Sequence, residues 1–181
     1  MGSFNYNIKY KEYSTLPLEQ REILNELLES ATANIHLEKR KPIQEDFWFL
    51  TWKQIEELRS DIGENNIDDV LNLVYSLEEN EIGEIILVNV ISSYKWVIEQ
   101  LESIAETEKY EMEEAAKDPK AEKAGVDRFR KYEFYNSLHV LSEGKIWKED
   151  EVLQYPYWQV FRNLNMRNDK ANYEKAYSEL K

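Results

Sequence analysis

The chain has no cysteine, and this absence excludes several kinds of chemistry. Without thiols the protein can form neither disulfides nor thiolate metal sites, and it has no cysteine nucleophile. A cysteine-free composition is compatible with folding in a reducing cytosol. We therefore expect a fold without disulfide cross-links, in a chain that folds in a reducing cytosol.

Histidine and glycine are scarce as well. His36 and His139, the two histidines, lie in predicted helices without acidic neighbours at metal-binding spacing. A carboxylate-bridged di-iron bundle needs a Glu three residues before each His, where this chain has Ala33 and Asn136. The five glycines are scattered, so no phosphate-binding loop can be built. We expect no metal, no cofactor and no enzymatic activity, although a hydrolase site made of distant carboxylates stays open.

Long apolar segments are also missing. The longest unbroken apolar runs, such as residues 85–88, are far too short to cross a membrane. The N-terminus has no basic segment followed by an apolar one, and Tyr6 stands where a myristoylation motif needs Ser or Thr. These absences predict a soluble protein that does not bind a membrane.

What the chain has in excess is negative charge. Its 181 residues include 23 Lys and Arg but 36 Asp and Glu, which gives a formal net charge of −13. Such a charge disfavours non-specific attraction to nucleic acid or to an anionic membrane. The expected partners are therefore proteins, and the length allows one core, or one core with an appendage.

One long helix, from Ile82 to about Lys117, is predicted to organise the fold. Its apolar residues recur at helical spacing and draw one stripe. The stripe consists of Ile86, Val90, Tyr94, Val97, Leu101 and Ile104. The opposite face, which should be exposed to water, consists of Ser92, Lys95, Glu99, Glu102 and Glu106. At about 1.5 Å per residue this helix is longer than a compact domain needs, so its acidic end is predicted to project.

The N-terminal residues 1–13 are predicted to form an extended arm. Four apolar residues alternate there with polar ones, a period of two that is typical of a strand. These candidate protein-binding residues are Phe4, Tyr6, Ile8 and Tyr10. The arm either lies along its own domain or adds to a neighbouring subunit, and the sequence leaves both open.

Other helices are predicted from Pro17 to about Leu37, from Trp52 to Gly63, from Asn66 onward, and from about Val126 to Ser142. The expected fold is all-α, a helical bundle around one long helix with an extended N-terminal arm and a C-terminal helix pair. Its predicted divisions are the arm at 1–13, a helical core at 14–118 and a C-terminal helical region at 119–181.

The last helix should open at Pro156 and carry the main contact site, Tyr157, Trp158 and Phe161. Residues 157 and 161 share a helix face, whereas 158 lies about 100 degrees round, so at least one side chain should be exposed. Exposed Trp and Tyr side chains dominate binding hot spots. The alternative is that all three seal a core with Trp147 and Tyr135.

The C-terminal segment resembles a known group of proteins. It has a Trp, a short acidic turn, a Val-Leu pair, a Pro-Tyr step and an aromatic helix start, at Trp147, Val152, Leu153, Pro156, Tyr157 and Phe161. This pattern resembles small assembly and virion proteins of tailed bacteriophages, with tail assembly chaperones as the nearest group. The arm and the long helix resemble more closely a subunit fixed in a particle, such as a head-to-tail connector ring.

The resemblance implies a structural or assembly protein that binds other phage proteins, forms a homo-oligomer, performs no catalysis and resides in the virion or the host cytoplasm. A competing hypothesis is a stand-alone acidic cytosolic regulator or inhibitor that imitates nucleic acid and binds a protein partner. An inhibitor of that kind would present its carboxylates as one contiguous surface.

Overall fold

A computed structural model describes residues 7–64, 66–112, 123, 125–132 and 134–180, and within these ranges the chain is helical with no strand. The predicted all-α class is confirmed. The α-helices of these ranges are α1 (Leu18–Glu29), α2 (Trp52–Gly63), α3 (Ile67–Tyr75), α4 (Glu79–Gly83), α5 (Leu87–Met112), α6 (Phe134–Leu141), α7 (Glu149–Leu153) and α8 (Tyr157–Glu179). Short 3₁₀ segments lie at Tyr10–Thr15, Phe47–Phe49, Val126–Tyr132 and Ile146–Lys148.

The described residues pack into two compact units that combine segments distant in sequence. The first unit consists of residues up to 47 together with 56–102, and the second of 48–55 together with 103–181. Helices α2 and α5 each contribute residues to both units. The predicted divisions at residues 13 and 118 followed the order of the chain and do not coincide with these units.

The predicted buried face of α5 is confirmed at four of its six residues, whereas Tyr94 and Ile86, which precedes α5, are half-buried. Val90 and Val97 are fully buried, and Leu101 and Ile104 are nearly so. Glu99, Glu102 and Glu106, on the predicted wet face, are exposed. Burial of the apolar stripe removes hydrocarbon from water and is the main stabilising term of such a helix.

Ser92 departs from that prediction, because it was placed on the wet face and is buried. Its carbonyl oxygen accepts a hydrogen bond from the backbone N–H of Asn34 at 3.0 Å. The segment that follows α1 therefore lies against this part of α5, and α5 is covered on two sides in the first unit.

The predicted helix from Ile82 is broken near its start, between the end of α4 at Gly83 and the start of α5 at Leu87. The backbone N–H of Tyr10 donates to the carbonyl of Ile85 at 2.9 Å, and that of Leu87 donates to the carbonyl of Ile8 at 2.8 Å. These bonds to the N-terminal segment replace helical ones. The predicted projecting end, beyond residue 112, lies outside the described residues.

The same backbone hydrogen bonds determine where the described part of the arm lies. Ile8 and Tyr10 are half-buried and bonded within their own unit, whereas Phe4 and Tyr6 lie outside the described residues. The arm was predicted to stay extended to residue 13, but a 3₁₀ helix begins at Tyr10. Glu12 Oε2 accepts the backbone N–H of Lys9 at 3.3 Å and so caps this helix. A contact of the arm with another subunit stays a prediction.

Helix α1 ends at Glu29 rather than near Leu37, and Lys95 caps this end. Its ammonium Nζ donates to the carbonyl oxygens of Leu28 at 2.7 Å, Glu29 at 2.9 Å and Ala31 at 3.0 Å. A cation at a helix C-terminus satisfies carbonyls that have no partner within the helix and complements the helix dipole. Lys95 was predicted to face water, but it is half-buried and caps a neighbouring helix.

We expect Lys95→Met to lower the free energy of unfolding by about 1–3 kcal/mol, because three carbonyl oxygens lose a charged donor. Urea denaturation followed by circular dichroism measures the change. Lys39→Met, at an exposed lysine, is the matched control and should change stability by less than about 0.5 kcal/mol. Equal midpoints for the two variants would show that the cap does not contribute.

The second unit repeats the pairing seen in the first. The backbone N–H of Trp52 donates to the carbonyl of Tyr155 at 3.0 Å, and that of Tyr157 donates to the carbonyl of Leu50 at 2.8 Å. In both units a five-residue helix, α4 or α7, is followed by a three-residue turn and then by a long helix, α5 or α8. The start of α8 is therefore held by backbone bonds, which fix the directions of its first side chains.

Candidate protein-binding surface

Two of the three predicted contact residues on α8 are buried in the second unit. Tyr157 is 5% exposed and Phe161 is 8% exposed. The ring of Trp48 stacks on Tyr157 with centroids 5.7 Å apart and lies 5.3 Å from that of Phe161. The hydroxyl of Tyr157 also hydrogen-bonds the carboxylate of Glu108. Tyr157 and Phe161 are therefore core residues of the isolated chain.

Trp158 is the member of the trio that keeps part of its surface in solvent. Its ring lies 6.5 Å from that of Phe49, which is itself exposed. The alternative interpretation was that all three side chains form a core with Trp147 and Tyr135. The second unit has no such core, because Trp147 and Tyr135 are both exposed. The role of the trio in binding a partner stays a prediction.

The most exposed large side chains of this region lie in the turn between α6 and α7. Ile146 and Trp147 are each 76% exposed, in the 3₁₀ segment Ile146–Lys148. Glu143 and Gly144, both with positive φ, end α6 just before this turn. The backbone N–H of Gly144 donates to the carbonyl of His139 at 2.8 Å. This helix end directs the following residues away from α6, so Trp147 does not return to the core.

Ion pairs hold the turn in shape. The carboxylate of Glu143 accepts hydrogen bonds from Lys145 Nζ at 2.6 Å and Lys148 Nζ at 3.4 Å. The hydrogen bond from Lys145, with the charges of both lysines, lowers the pKa of Glu143, and the same contact raises the pKa of Lys145. These groups are exposed, so the pairs contribute little to stability. They nevertheless bracket Ile146 and Trp147 with charge on both sides.

A groove of about 320 Å³ lies beside this turn in the same unit. Its walls are Phe129, Tyr132, Tyr135, Asn136, His139 and Glu149. The aromatic walls are about half exposed. We define the aromatic surface as three groove residues and two turn residues, namely Phe129, Tyr132, Tyr135, Ile146 and Trp147.

Packed aromatic rings connect the groove to the core of the second unit. Tyr135 stacks on Phe134 with centroids 4.2 Å apart, and Phe134 meets the buried Trp52 edge-on at 6.0 Å. The helix predicted from Val126 to Ser142 is divided into the 3₁₀ segment Val126–Tyr132 and α6. Asn136 bridges the two parts, because its Nδ2 donates to the carbonyl of Phe129 at 2.7 Å. The exposed rings are thus presented in defined directions.

The aromatic surface can bind an apolar partner. Large exposed aromatic groups surrounded by polar residues are typical of protein interaction sites, because their burial removes much hydrocarbon from water at little cost in side-chain freedom. In the part of the chain that the structure describes, no group of three or more His, Asp or Glu side chains could hold a metal ion. None of the described helices is long and apolar enough to cross a membrane.

Comparisons with protein-family models, with curated proteins and with solved structures found no match to this chain.

Proposed function

We propose that this protein is a non-enzymatic structural or assembly protein of a tailed bacteriophage and acts through contacts with other protein subunits. The proposal covers a head-to-tail connector or a tail assembly role, in the virion or in the host cytoplasm. It is supported by the resemblance of residues 147–161 to small phage assembly and virion proteins. The observation that carries the binding role is the aromatic surface, and Trp147 above all.

The side chain of Trp147 is 76% exposed in the isolated chain. The apolar surface of an indole on an exposed turn is removed from water only when a partner covers it. The lysines on either side, Lys145 and Lys148, form a charged rim. A buried aromatic centre with a polar rim is the usual anatomy of a protein interface.

We expect Trp147→Ala to abolish complex formation and leave the isolated protein as stable as the wild type. The indole contributes to a partner contact but not to the core, and a hot-spot Trp is worth about 2 kcal/mol or more in binding. Native mass spectrometry of the chain co-expressed with the proteins encoded beside it measures the first effect. Thermal denaturation of the purified chain measures the second.

Tyr110→Ala provides the control, because Tyr110 is an equally exposed aromatic residue outside the aromatic surface. This variant should form the complex normally. A complex that survives Trp147→Ala, or that is lost equally in both variants, would contradict the assignment of the surface. Absence of the protein from every complex with phage structural proteins would contradict the function.

The acidic regulator remains the second candidate, because Glu99, Glu102 and Glu106 are exposed along one side of α5. An inhibitor that imitates nucleic acid would bind through carboxylates, so its binding would weaken steeply with salt. Changing all three to Gln should abolish binding by such an inhibitor and have little effect on the phage complex. The aromatic and acidic variants therefore separate the two functions.

A further inference from the structure

The last helix has two apolar faces on opposite sides. At its N-terminal end α8 buries Tyr157, Val160 and Phe161 in the second unit. Beyond that turn, large apolar side chains reappear on the other side of the helix. Met166 is 60%, Tyr173 67% and Leu180 85% exposed. The second unit therefore uses only one side of α8, and the rest of the helix offers an apolar face to solvent.

The exposed face has the spacing of a coiled-coil seam. Met166, Tyr173 and Leu180 are seven residues apart, and Tyr177 follows Tyr173 by four. In heptad terms the apolar residues Met166, Tyr173 and Leu180 occupy d positions, while Asn163, Lys170 and Tyr177 occupy a positions. The rings of Tyr173 and Tyr177 stack with centroids 6.0 Å apart. A second helix that packs along such a seam removes its apolar side chains from water.

The charges beside the seam decide which helix fits. Arg162 and Asp169 occupy g positions, and Arg167 and Glu174 occupy e positions. In a parallel pair of identical helices, each g residue meets the e residue five places on in the partner. Arg162 would then face Arg167, and Asp169 would face Glu174. Parallel self-pairing is disfavoured by like charges on both sides, and Lys170 would also face its own copy in the seam.

An antiparallel pair of the same helices reverses these relations. With Lys170 opposite Tyr173 of the second copy, every a residue from 163 to 177 faces a d residue of the other helix. Arg167 of each copy then lies beside Glu174 of the other, so both flanking contacts join opposite charges. Each Lys170 ammonium, which lies 3.8 Å from Glu174 Oε1 of its own helix, would also meet a tyrosine ring of the other copy, and such a ring can attract a cation. The seam and its charges are therefore complementary to themselves in one orientation.

We propose that residues 163–180, which comprise α8 from Asn163 onward and its C-cap Leu180, pair antiparallel with the same segment of a second copy of this chain. The inference deepens the proposed function and rests on it in one respect, since it identifies a second copy as one of the protein partners. It concerns a different surface from the aromatic surface. A wild-type chain that does not self-associate, but still forms its Trp147-dependent complex, would count against this inference alone.

Charge reversal tests both the pairing and its orientation in the full chain. Arg167→Glu places two like charges at each flank of an antiparallel pair, and we expect it to weaken self-association about tenfold. The double variant Arg167→Glu with Glu174→Arg should restore the wild-type affinity. In a parallel pair Arg167→Glu would instead strengthen association, because residue 167 would then attract Arg162. Sedimentation velocity over a range of protein concentrations gives the association constants.

Engineered cysteines give an independent measurement, because the natural chain has none. Asn163→Cys alone should give no cross-linked dimer on oxidation, whereas an equimolar mixture with Leu180→Cys should cross-link efficiently. Both positions are exposed, so the substitutions should not disturb the fold. Circular dichroism of each variant verifies this.

Three results would overturn the inference. One is a wild-type chain that stays monomeric at every concentration, and another is a cross-link between two copies of Asn163→Cys. The third is a chain that is monomeric alone but loses its complex with co-expressed proteins on Arg167→Glu, which would assign the face to a different partner. Association that weakens in the single variant and recovers in the double variant supports it.

Discussion

Val90→Asp is expected to abolish the folded state. Val90 is fully buried on α5 in the core of the first unit. A carboxylate there either stays ionised without the water that solvates it or takes up a proton and stays unpaired, and both outcomes are costly. We expect a loss of more than about 4 kcal/mol, a large share of the stability of a domain of this size. The helical signal in circular dichroism should fall and the cooperative transition should disappear.

Two further variants keep this prediction measurable. Val90→Ala removes only methyl groups and should cost about 2 kcal/mol, so its denaturation curve can be measured even if the aspartate variant does not fold. Glu99→Ala, on the exposed face of the same helix, should lie within about 0.5 kcal/mol of the wild type. Similar losses at positions 90 and 99 would contradict the assigned face of α5.

Phe161→Ala should destabilise the isolated protein by about 3–5 kcal/mol, as is usual for a phenyl group deleted from a core. Phe161 is 8% exposed, and its ring packs against those of Trp48 and Tyr157. Chemical denaturation without any partner present gives the value. The cavity would weaken the contact of α8 with Trp48 in the second unit.

Trp158→Ala is the matched comparison, one residue from Tyr157 on the same helix. Because Trp158 is only partly buried, its truncation should cost about 1 kcal/mol in the isolated chain. If it also abolished incorporation into a complex, Trp158 would belong to the interface that the sequence predicts. A loss at Trp158 as large as that at Phe161 would identify it as a core residue and remove it from the candidate contacts.

Together these variants separate folding from binding. Substitutions at Val90 and Phe161 should lower the stability of the isolated chain. Substitution of Trp147 should affect only formation of the complex. Arg167 should affect only association of the chain with itself. The two surfaces are thus tested by substitutions at Trp147 and Arg167 that leave the fold and the other surface unchanged.

Local sequence was sufficient where the deciding interactions are close along the chain. The capping pair Thr51 and Gln54 predicts the start of α2 at Trp52, and the structure contains both reciprocal bonds, at 3.0 Å and 3.2 Å. The helical period of Val90 and Val97 likewise predicts the buried face of α5. Both depend on residues within a few turns of one another, so the pattern is complete in the sequence.

It was harder to predict from the sequence which aromatic side chains of the C-terminal region are exposed. Trp147 and Tyr157 are both aromatic and ten residues apart, yet one is exposed and the other buried. A local signal existed, because Ile146 and Trp147 stand between two lysines just after Gly144, a pattern typical of an exposed turn. The burial of Tyr157 had no local signal, since it depends on Trp48, which lies more than a hundred residues away.

The sequence by itself determined the helical class, the start of α2 and the buried side of α5. Only the tertiary structure decided where the chain leaves the helix. Ile85 lies in an apolar run that favours continued helix, but its carbonyl accepts the N–H of Tyr10. The end of α1 depends in the same way on Lys95. Helix propensity differs by only about 1 kcal/mol between residues, so a few hydrogen bonds from distant segments are enough to override it.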